Sequence, residues 1–381
     1  ICLKQLNTEL ADRELMFGPD PSTASVATIG GVIGNNATGA HSILYGMAGD
    51  NLLSSELVLD GGERICLGEV ALESDSNSAK ANLIGKIGNF RNKYLSAIRK
   101  DFPRHWRRAS GYSLNYLTDE EFNPAGLLAG AEGTLGVSTE YVLKLVDVPS
   151  EKGLIVRQLK GLTEFMEAVP EILKKGPSAI GLSDGTLIRI TAGHPGYSRI
   201  AGFADKDAEA LLVVEFYGQT KDEVRKKAEG LAIYLDEKKI GCRKSYALDE
   251  REQNNIWEVR RAGLGLLMSR RDRYKPITCI EDVSVPVDKL PQYTKDISEL
   301  VARAGTSAAF YGHASAGCLH IRPMVDIRGG GTQIMKDLTE GAFELAVEYG
   351  GVMSGEHGDG LQRSYLNERL FGRELYGAMK E

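Results

Sequence analysis

Cysteine is scarce in this chain. Five cysteines (Cys2, Cys66, Cys242, Cys279 and Cys318) are scattered over 381 residues, and no two form a Cys-x-x-Cys pair. That odd, dispersed set argues for reduced thiols and a cytoplasmic setting, not a disulfide framework, and leaves no ligand pattern for an iron–sulfur cluster within the chain. Long apolar runs are also missing. No stretch is long enough to span a bilayer, and no signal peptide is recognisable. A net charge of -6 and a pI near 5.7 give no general attraction to nucleic acid. The glycine-rich loops lack the G-x-G-x-x-G-after-strand pattern of a Rossmann site and the Lys-Ser/Thr of a Walker loop. Neither an internal repeat nor a low-complexity tract is present.

What remains is an ordinary globular composition, 42% hydrophobic and 26% charged, long enough for two domains with substantial cores. Both ends read as interrupted. Ile1 enters directly into a helical turn, and residues 379–381 stop inside a helix without a Gly or Pro signal, so the chain reads as a piece of a longer protein.

The most informative residues are histidines. Three of the six fall within 45 residues, at His313, His320 and His357. His313 and His320 are seven apart, which on one straight strand would place them on opposite faces. The Ala-Ser-Ala-Gly between them is turn-like, so a hairpin can aim both imidazoles at one point. Glu356, in Ser-Gly-Glu-His-Gly-Asp-Gly, offers an oxygen ligand. Two His and one carboxylate leave coordination positions open, as catalytic metal sites do, and suit zinc, iron(II) or manganese. His357 is then a spare base. The alternative is three partly buried histidines in a Gly-rich hairpin and loop.

A second concentration is glycine, at Gly30, Gly31, Gly34 and Gly39. Glycine permits close backbone approach and aims N–H groups at an anion. Ser22, Thr23, Asn35, Asn36 and Ser42 add neutral hydrogen-bonding groups, a combination suited to a pyrophosphate; tight structural turns are the competing account. Residues 132–136, Glu-Gly-Thr-Leu-Gly, are a candidate second wall of the same pocket. Residues 88–108 carry seven Lys/Arg against one acid. They read first as a solvated helix face, with anion or partner docking as the alternative.

Residues 1–148 form a first unit, and Pro149 opens a linker. Beyond it, strand–helix–strand modules follow: strands near 154–158, 179–182, 211–216 and 243–247, with helices at 162–174, 220–239 and 288–304. Such alternation predicts an antiparallel or mixed sheet with helices on one face. Residues 335–349 and 363–381 read as helices around the Glu-His loop.

Together these segments resemble the FAD-linked oxidases of the vanillyl-alcohol oxidase / p-cresol methylhydroxylase superfamily. The branch they look most like is the D-2-hydroxyacid dehydrogenases and glycolate oxidase flavin subunits. The motifs run in family order over nearly the whole chain: Pro19-Asp20-Pro21-Ser22, residues 29–36, residues 39–46, Ser-Gly-Tyr (110–112), residues 132–136, Trp257-x-x-Arg260, residues 312–320 and residues 354–360. The wording of 312–320 looks most like large bacterial members, in which the flavin module is fused to a C-terminal iron–sulfur module.

The resemblance implies an α+β protein. Residues 1–148 would be a PCMH-type FAD-binding domain, partial at its N-terminus. Residues 149–381 would be a ferredoxin-like cap of the FAD-linked oxidase C-terminal type, incomplete at its end. It implies FAD contacts from Pro19, Asp20, Pro21, Ser22, Thr28, Gly30, Gly31, Gly34, Asn35, Asn36, Gly39, His41, Ser42, Tyr45, Gly46, Glu132, Gly133, Gly136 and Val137. It implies a divalent metal, usually zinc, on His313, His320 and Glu356, with His357 as general base and Arg260 facing a substrate carboxylate; Arg261 is the alternative. The implied reaction is oxidation of a D-2-hydroxyacid, of D-lactate or glycolate type, to the 2-oxoacid by hydride transfer to flavin. Electrons would pass to an iron–sulfur module or subunit, a quinone or a cytochrome, with any peripheral attachment to the inner membrane made through such partners.

Two departures bear on specificity. Many relatives have Asn where Cys318 stands, and some have Lys where Ile280 stands; Lys275 is a candidate replacement. The family's N-terminal pyrophosphate loop would precede residue 1, so this segment alone is expected to bind FAD weakly or not at all. The rival readings are another flavin oxidase of the superfamily, acting on an alcohol, phenol or alkyl-glycerone phosphate, and a non-catalytic FAD- or metal-binding subunit or scaffold.

Overall fold

The computed structural model describes residues 1–68, 77–118, 122–205 and 207–381. Its contacts divide the chain into two compact units, one of residues 1–148 with 354–381 and one of residues 149–353. Among the described residues no helix is long and apolar enough to cross a membrane.

The first unit holds a three-stranded antiparallel sheet. Strand β1 (Leu52–Val58) lies between β2 (Arg64–Gly68) and β3 (Val137–Leu143). Leu52 and Leu57 from β1 and Ile65 and Leu67 from β2 are buried with Leu3, Phe17, Val32 and Ile33 in one apolar cluster. A second cluster joins the helix Asn77–Asp101 to the helix Asn367–Lys380, through Ala97, Ile98, Phe102, Leu114, Phe371 and Leu375. The basic run at 88–108 is therefore only partly helical. Its helix stops at Asp101, because Phe102 precedes Pro103 and the residue before proline is driven out of the α region. The cationic residues beyond that point follow a different path, described below.

The second unit is an eight-stranded sheet. Its strands are β4 (Glu151–Leu159), β5 (Ala179–Asp184), β6 (Ala210–Gly218), β7 (Arg243–Ala247), β8 (Lys275–Pro276), β9 (Val283–Ser284), β10 (Ala308–His313) and β11 (Cys318–Val325). The order is β8-β11-β10-β5-β6-β4-β7, with β9 also paired to β11, and the pairings are antiparallel. Strands β4 to β7 alone, in order β5-β6-β4-β7 with helices after β4 and β6, form the ferredoxin-like βαββαβ arrangement. The near-continuous apolar run Ala210-Leu-Leu-Val-Val belongs to a strand buried on both faces. Leu212, Val214 and Phe216 face the large core beneath helices Leu162–Leu173, Lys221–Glu237, Leu290–Arg303 and Gly331–Glu348. Leu211 and Val213 face Ile188 and Ile256, from helices Gly185–Gly193 and Glu250–Met268. Helices thus cover both faces of the sheet, not one. The two on the second face start at Asp184 and Asp249, whose carboxylates cap Leu187 N and Glu252 N at 3.0 Å.

Candidate functional site

The candidate residues occur in both units. In the second unit, β10, a 3₁₀ turn at Ala314–Ala316 and β11 make the hairpin on which His313 and His320 sit. The register pairs Tyr311 with His320 and His313 with Cys318. Directly paired residues share a face, so both imidazoles stand on the same side, edge to face, with ring centroids 5.7 Å apart. Tyr311 packs against His320 from the other side, at 4.7 Å between centroids. Leu319 and Ile321, on either side of His320 in the strand, point into the large core on the opposite face.

Two features pin the turn. Ser315 Oγ accepts Ile180 N at 3.2 Å. Gly317 adopts φ +68, and a Cβ there would lie 1.8 Å from the Val285 carbonyl oxygen. Only glycine permits both that backbone angle and that approach.

Arg260 reaches the same hairpin from its helix. Its Nη2 donates to the Gly312 carbonyl at 2.7 Å, immediately before His313, and the guanidinium lies over the Trp257 ring. Arg261 is exposed. Lys275 is committed elsewhere: it pairs with Val325 at the far end of β11 and donates to the Arg270 carbonyl. Arg322, two residues after His320 and on the same face, pairs with Glu281 and donates to the Tyr311 hydroxyl at 3.0 Å.

Asp282 is a residue that sequence reasoning passed over. It is fully buried at φ +72, a conformation rare for a non-glycine residue. A carboxylate oxygen of Asp282 lies within 4.8 Å of a ring nitrogen of His320, and Oδ1 accepts from Cys318 Sγ at 3.6 Å. Cys318 is itself completely buried. The Cys318 thiol is therefore oriented by an acid.

Asp184 supports the hairpin from below. One carboxylate oxygen caps Leu187 N and the other accepts Phe310 N at 2.7 Å. Burial pushes its pKa up to about 6, although the backbone N–H groups it accepts pull the other way.

In the first unit the two glycine-rich motifs lie side by side. Gly130 N donates to the Ile33 carbonyl, and Glu132 N to the Gly34 carbonyl, at 3.1 and 2.9 Å. Asn36 and Glu132 both take left-handed backbone angles, at φ 53 and 49. His41 Nδ1 meets Asp20 Oδ2 at 2.6 Å, which joins the 19–22 motif to the 39–46 motif. Gly39 makes that junction possible, since a Cβ there would lie 2.0 Å from the Asp20 carbonyl oxygen. Ser22, Thr28, Gly30, Gly31, Glu132, Gly133 and Val137 lie on exposed edges of these motifs. Hydroxyls and bare backbone accessible on paired loops suit the anionic part of a dinucleotide cofactor.

The Glu-His loop belongs to this same unit. Glu356 is buried, and His357, with 41% of its side chain exposed, places Nε2 3.4 Å from Glu356 Oε1. The other carboxylate oxygen, Oε2, accepts from Arg107 Nη2 at 2.5 Å. Arg107 comes from the basic run read as a solvated face, yet its side chain is 0% exposed. No periodicity or motif signals this, because its partners stand at 39–42 and 356, far away in sequence.

Matches to family models decide the affiliation. Residues 148–381 match FAD linked oxidases, C-terminal domain, and residues 1–68 match an FAD binding domain. The chain belongs to the FAD-linked oxidases. As a sequence unit the C-terminal family domain reaches residue 381, although residues from Ser354 onward pack within the first compact unit. The chain is 30% identical over 396 residues to a D-2-hydroxyglutarate dehydrogenase of Pseudomonas putida, with 99% of this chain and 39% of that protein covered. It is 28% identical to the glycolate oxidase subunit GlcD of Bacillus subtilis, with 96% and 67% covered. The solved structure of p-cresol methylhydroxylase with substrate bound shares the fold, at a TM-score of 0.63 and 10% identity over 100% of this chain and 71% of that one. The FAD-linked oxidase thus has the PCMH-type fold, and it spans about two fifths of the length of the dehydrogenase relative.

Proposed function

We propose that this FAD-linked oxidase is the flavin-site portion of a dehydrogenase that converts a D-2-hydroxyacid to the 2-oxoacid. The observation that carries the reading is the hairpin, which presents two imidazoles on one face beside an arginine that is anchored to the same strand. The names of the relatives, D-2-hydroxyglutarate dehydrogenase and glycolate oxidase subunit, support the same substrate class. A phenol oxidase would not need two His and a Glu at this spacing, so that rival accounts less well for the hairpin.

We assign His313, His320 and Glu356 to a divalent metal, with zinc the best match to a His-His-Glu donor set. Bound there, the metal would supply Lewis-acid polarisation of the substrate oxygens. FAD would supply the two-electron acceptor for the α-hydrogen. The chain's own residues bind, orient and move the proton. Arg260 offers a planar fork that matches a carboxylate. His357 takes the proton from the substrate hydroxyl, a task suited to an imidazole near neutral pH. Arg322 and Tyr311 support His320 from its flank, and Asp282 orients Cys318 beneath it. The electron acceptor would be an iron–sulfur module or subunit, a quinone or a cytochrome.

The test is an anaerobic titration of the full-length protein with D-2-hydroxyglutarate, D-lactate and glycolate, followed by the visible flavin spectrum, with and without chelator. Bleaching by one acid, lost with chelator and restored by zinc, supports the reading. A flavin that no hydroxyacid reduces favours another superfamily substrate. Full turnover by Glu356→Gln or His357→Ala would remove these two residues from the chemistry.

A further inference from the structure

Arg107 makes contacts that a surface arginine never does. Nη1 donates to the Gly39 carbonyl at 3.1 Å and to the Ser42 hydroxyl, while Nη2 donates to Glu356 Oε2. One guanidinium therefore grips the 39–42 loop and the Glu-His loop together. The residues after it continue the connection. Ala109 N donates to the Ser354 carbonyl at 2.9 Å, and Ser110 Oγ donates to Asp359 Oδ1 at 2.9 Å. The same Asp359 oxygen accepts Ser354 Oγ at 2.7 Å, and Arg363 Nη2 donates to the Gly358 carbonyl at 2.5 Å.

Burying a guanidinium is costly unless a paired charge and several acceptors compensate. Here that compensation falls on the carboxylate whose other oxygen faces His357. The energy that keeps Arg107 buried is thus the energy that fixes the orientation of Glu356. A lysine could not substitute, because a point charge does not reproduce a fork that donates in separate directions.

We infer that Arg107 is a positioning residue: it sets the orientation of Glu356, and through it His357, against the Gly39–Ser42 segment of the flavin motif. The inference rests on the proposed function for its kinetic consequence and on geometry alone for its structural one. The rival account is a plain staple that stabilises the unit without bearing on the reaction.

The experiment compares Arg107→Met, Arg107→Lys, Glu356→Gln and the Arg107→Met/Glu356→Gln double variant in the full-length protein. Supporting residues around catalytic and metal groups contribute about 10- to 100-fold to activity. Arg107→Met is expected to lower kcat by about that factor with KM little changed, and Arg107→Lys to recover only part of it. The double variant should be no slower than Glu356→Gln alone, since Arg107 acts through that carboxylate. Hydrogen exchange should quicken at residues 354–360 and 39–42 in Arg107→Met while β1 stays protected. Unchanged kcat, losses that multiply in the double variant, or exchange that rises throughout the unit would each overturn the inference. Should Arg107→Met fail to fold, Arg107→Lys, which keeps the charge without the fork, carries the same comparisons. If the wild-type protein oxidises no hydroxyacid, the functional reading fails by itself, and the exchange measurement still decides whether Arg107 holds the loop.

Discussion

Gly317→Ala should cost far more than its one methyl group suggests. At φ +68 an alanine pays about 1–2 kcal/mol for the left-handed backbone. The new Cβ would also sit 1.8 Å from the Val285 carbonyl oxygen, against the 3.0 Å below which such contacts are essentially never seen. Strand β9 must therefore retreat from β11, and the bond from Val285 N to the Gly317 carbonyl, 3.0 Å long, cannot survive that retreat unchanged. Leaving a buried backbone group unpaired adds about 1–3 kcal/mol. The total, about 2–5 kcal/mol, corresponds to a fall in Tm on the order of 10 °C for a unit of this size. Gly305→Ala is the control: its φ is +73, but nothing lies within 4 Å of the added Cβ, so it carries the backbone penalty alone. Thermal unfolding of both variants, followed by circular dichroism, separates the two contributions. Equal losses would show that the close approach of β9 contributes nothing and would refute the argument.

Asp184 gives a pH signature opposite to that of an ordinary ion-paired carboxylate. Its folded pKa, raised to about 6, makes its contribution fully present below the unfolded value of 3.8 and lost as pH rises through 6. The stability difference between wild type and Asp184→Asn should therefore fall by on the order of 3 kcal/mol from pH 4 to 7; a difference that stays flat in urea titrations across that range contradicts it. Phe371→Ala, which empties a site in the cluster with Ile98 and Phe102, should destabilise the first unit by about 3–5 kcal/mol. Hydrogen exchange would locate that loss, and faster exchange confined to residues 149–353 would argue against the division into units. His320→Asn in the full-length protein should leave flavin bound but reduce divalent metal, measured by elemental analysis, well below one equivalent; full metal occupancy would reject the assignment.

The legible parts of the molecule were those whose signals are local. The turn composition between His313 and His320 points to the hairpin, and the charged stretch at 220–239 reads as a helix, which forms over Lys221–Glu237 with Thr220 accepting Glu223 N. The 19–46 and 132–137 motifs could be paired because glycine and small polar residues recur in both. Arg107 was illegible for the opposite reason. Its run is rich in like charge, which reads as solvated, and only packing shows that Pro103 turns the chain inward after the helix. Asp282 stayed hidden because a positive φ leaves no trace in residue type. The helix Gly185–Gly193 was missed because it follows β5 without a break, its cap being the last residue of that strand.

The chain leaves the first unit at Val148 and re-enters it at Ser354. Synthesis is vectorial, so the whole of residues 149–353 emerges before the segment that completes the first unit. At ribosomal speeds of about 5–20 residues per second, that interval is roughly 10–40 s. Throughout it, Ala97, Ile98 and Phe102 await Phe371 and Leu375, and Arg107 awaits Glu356. The nascent first unit therefore carries an exposed apolar seam and an uncompensated cation, a state suited to capture by a chaperone. The loop at residues 354–360 can join the first unit only after the whole of residues 149–353 has been made, so its local geometry depends on a segment that the ribosome delivers late relative to its partners.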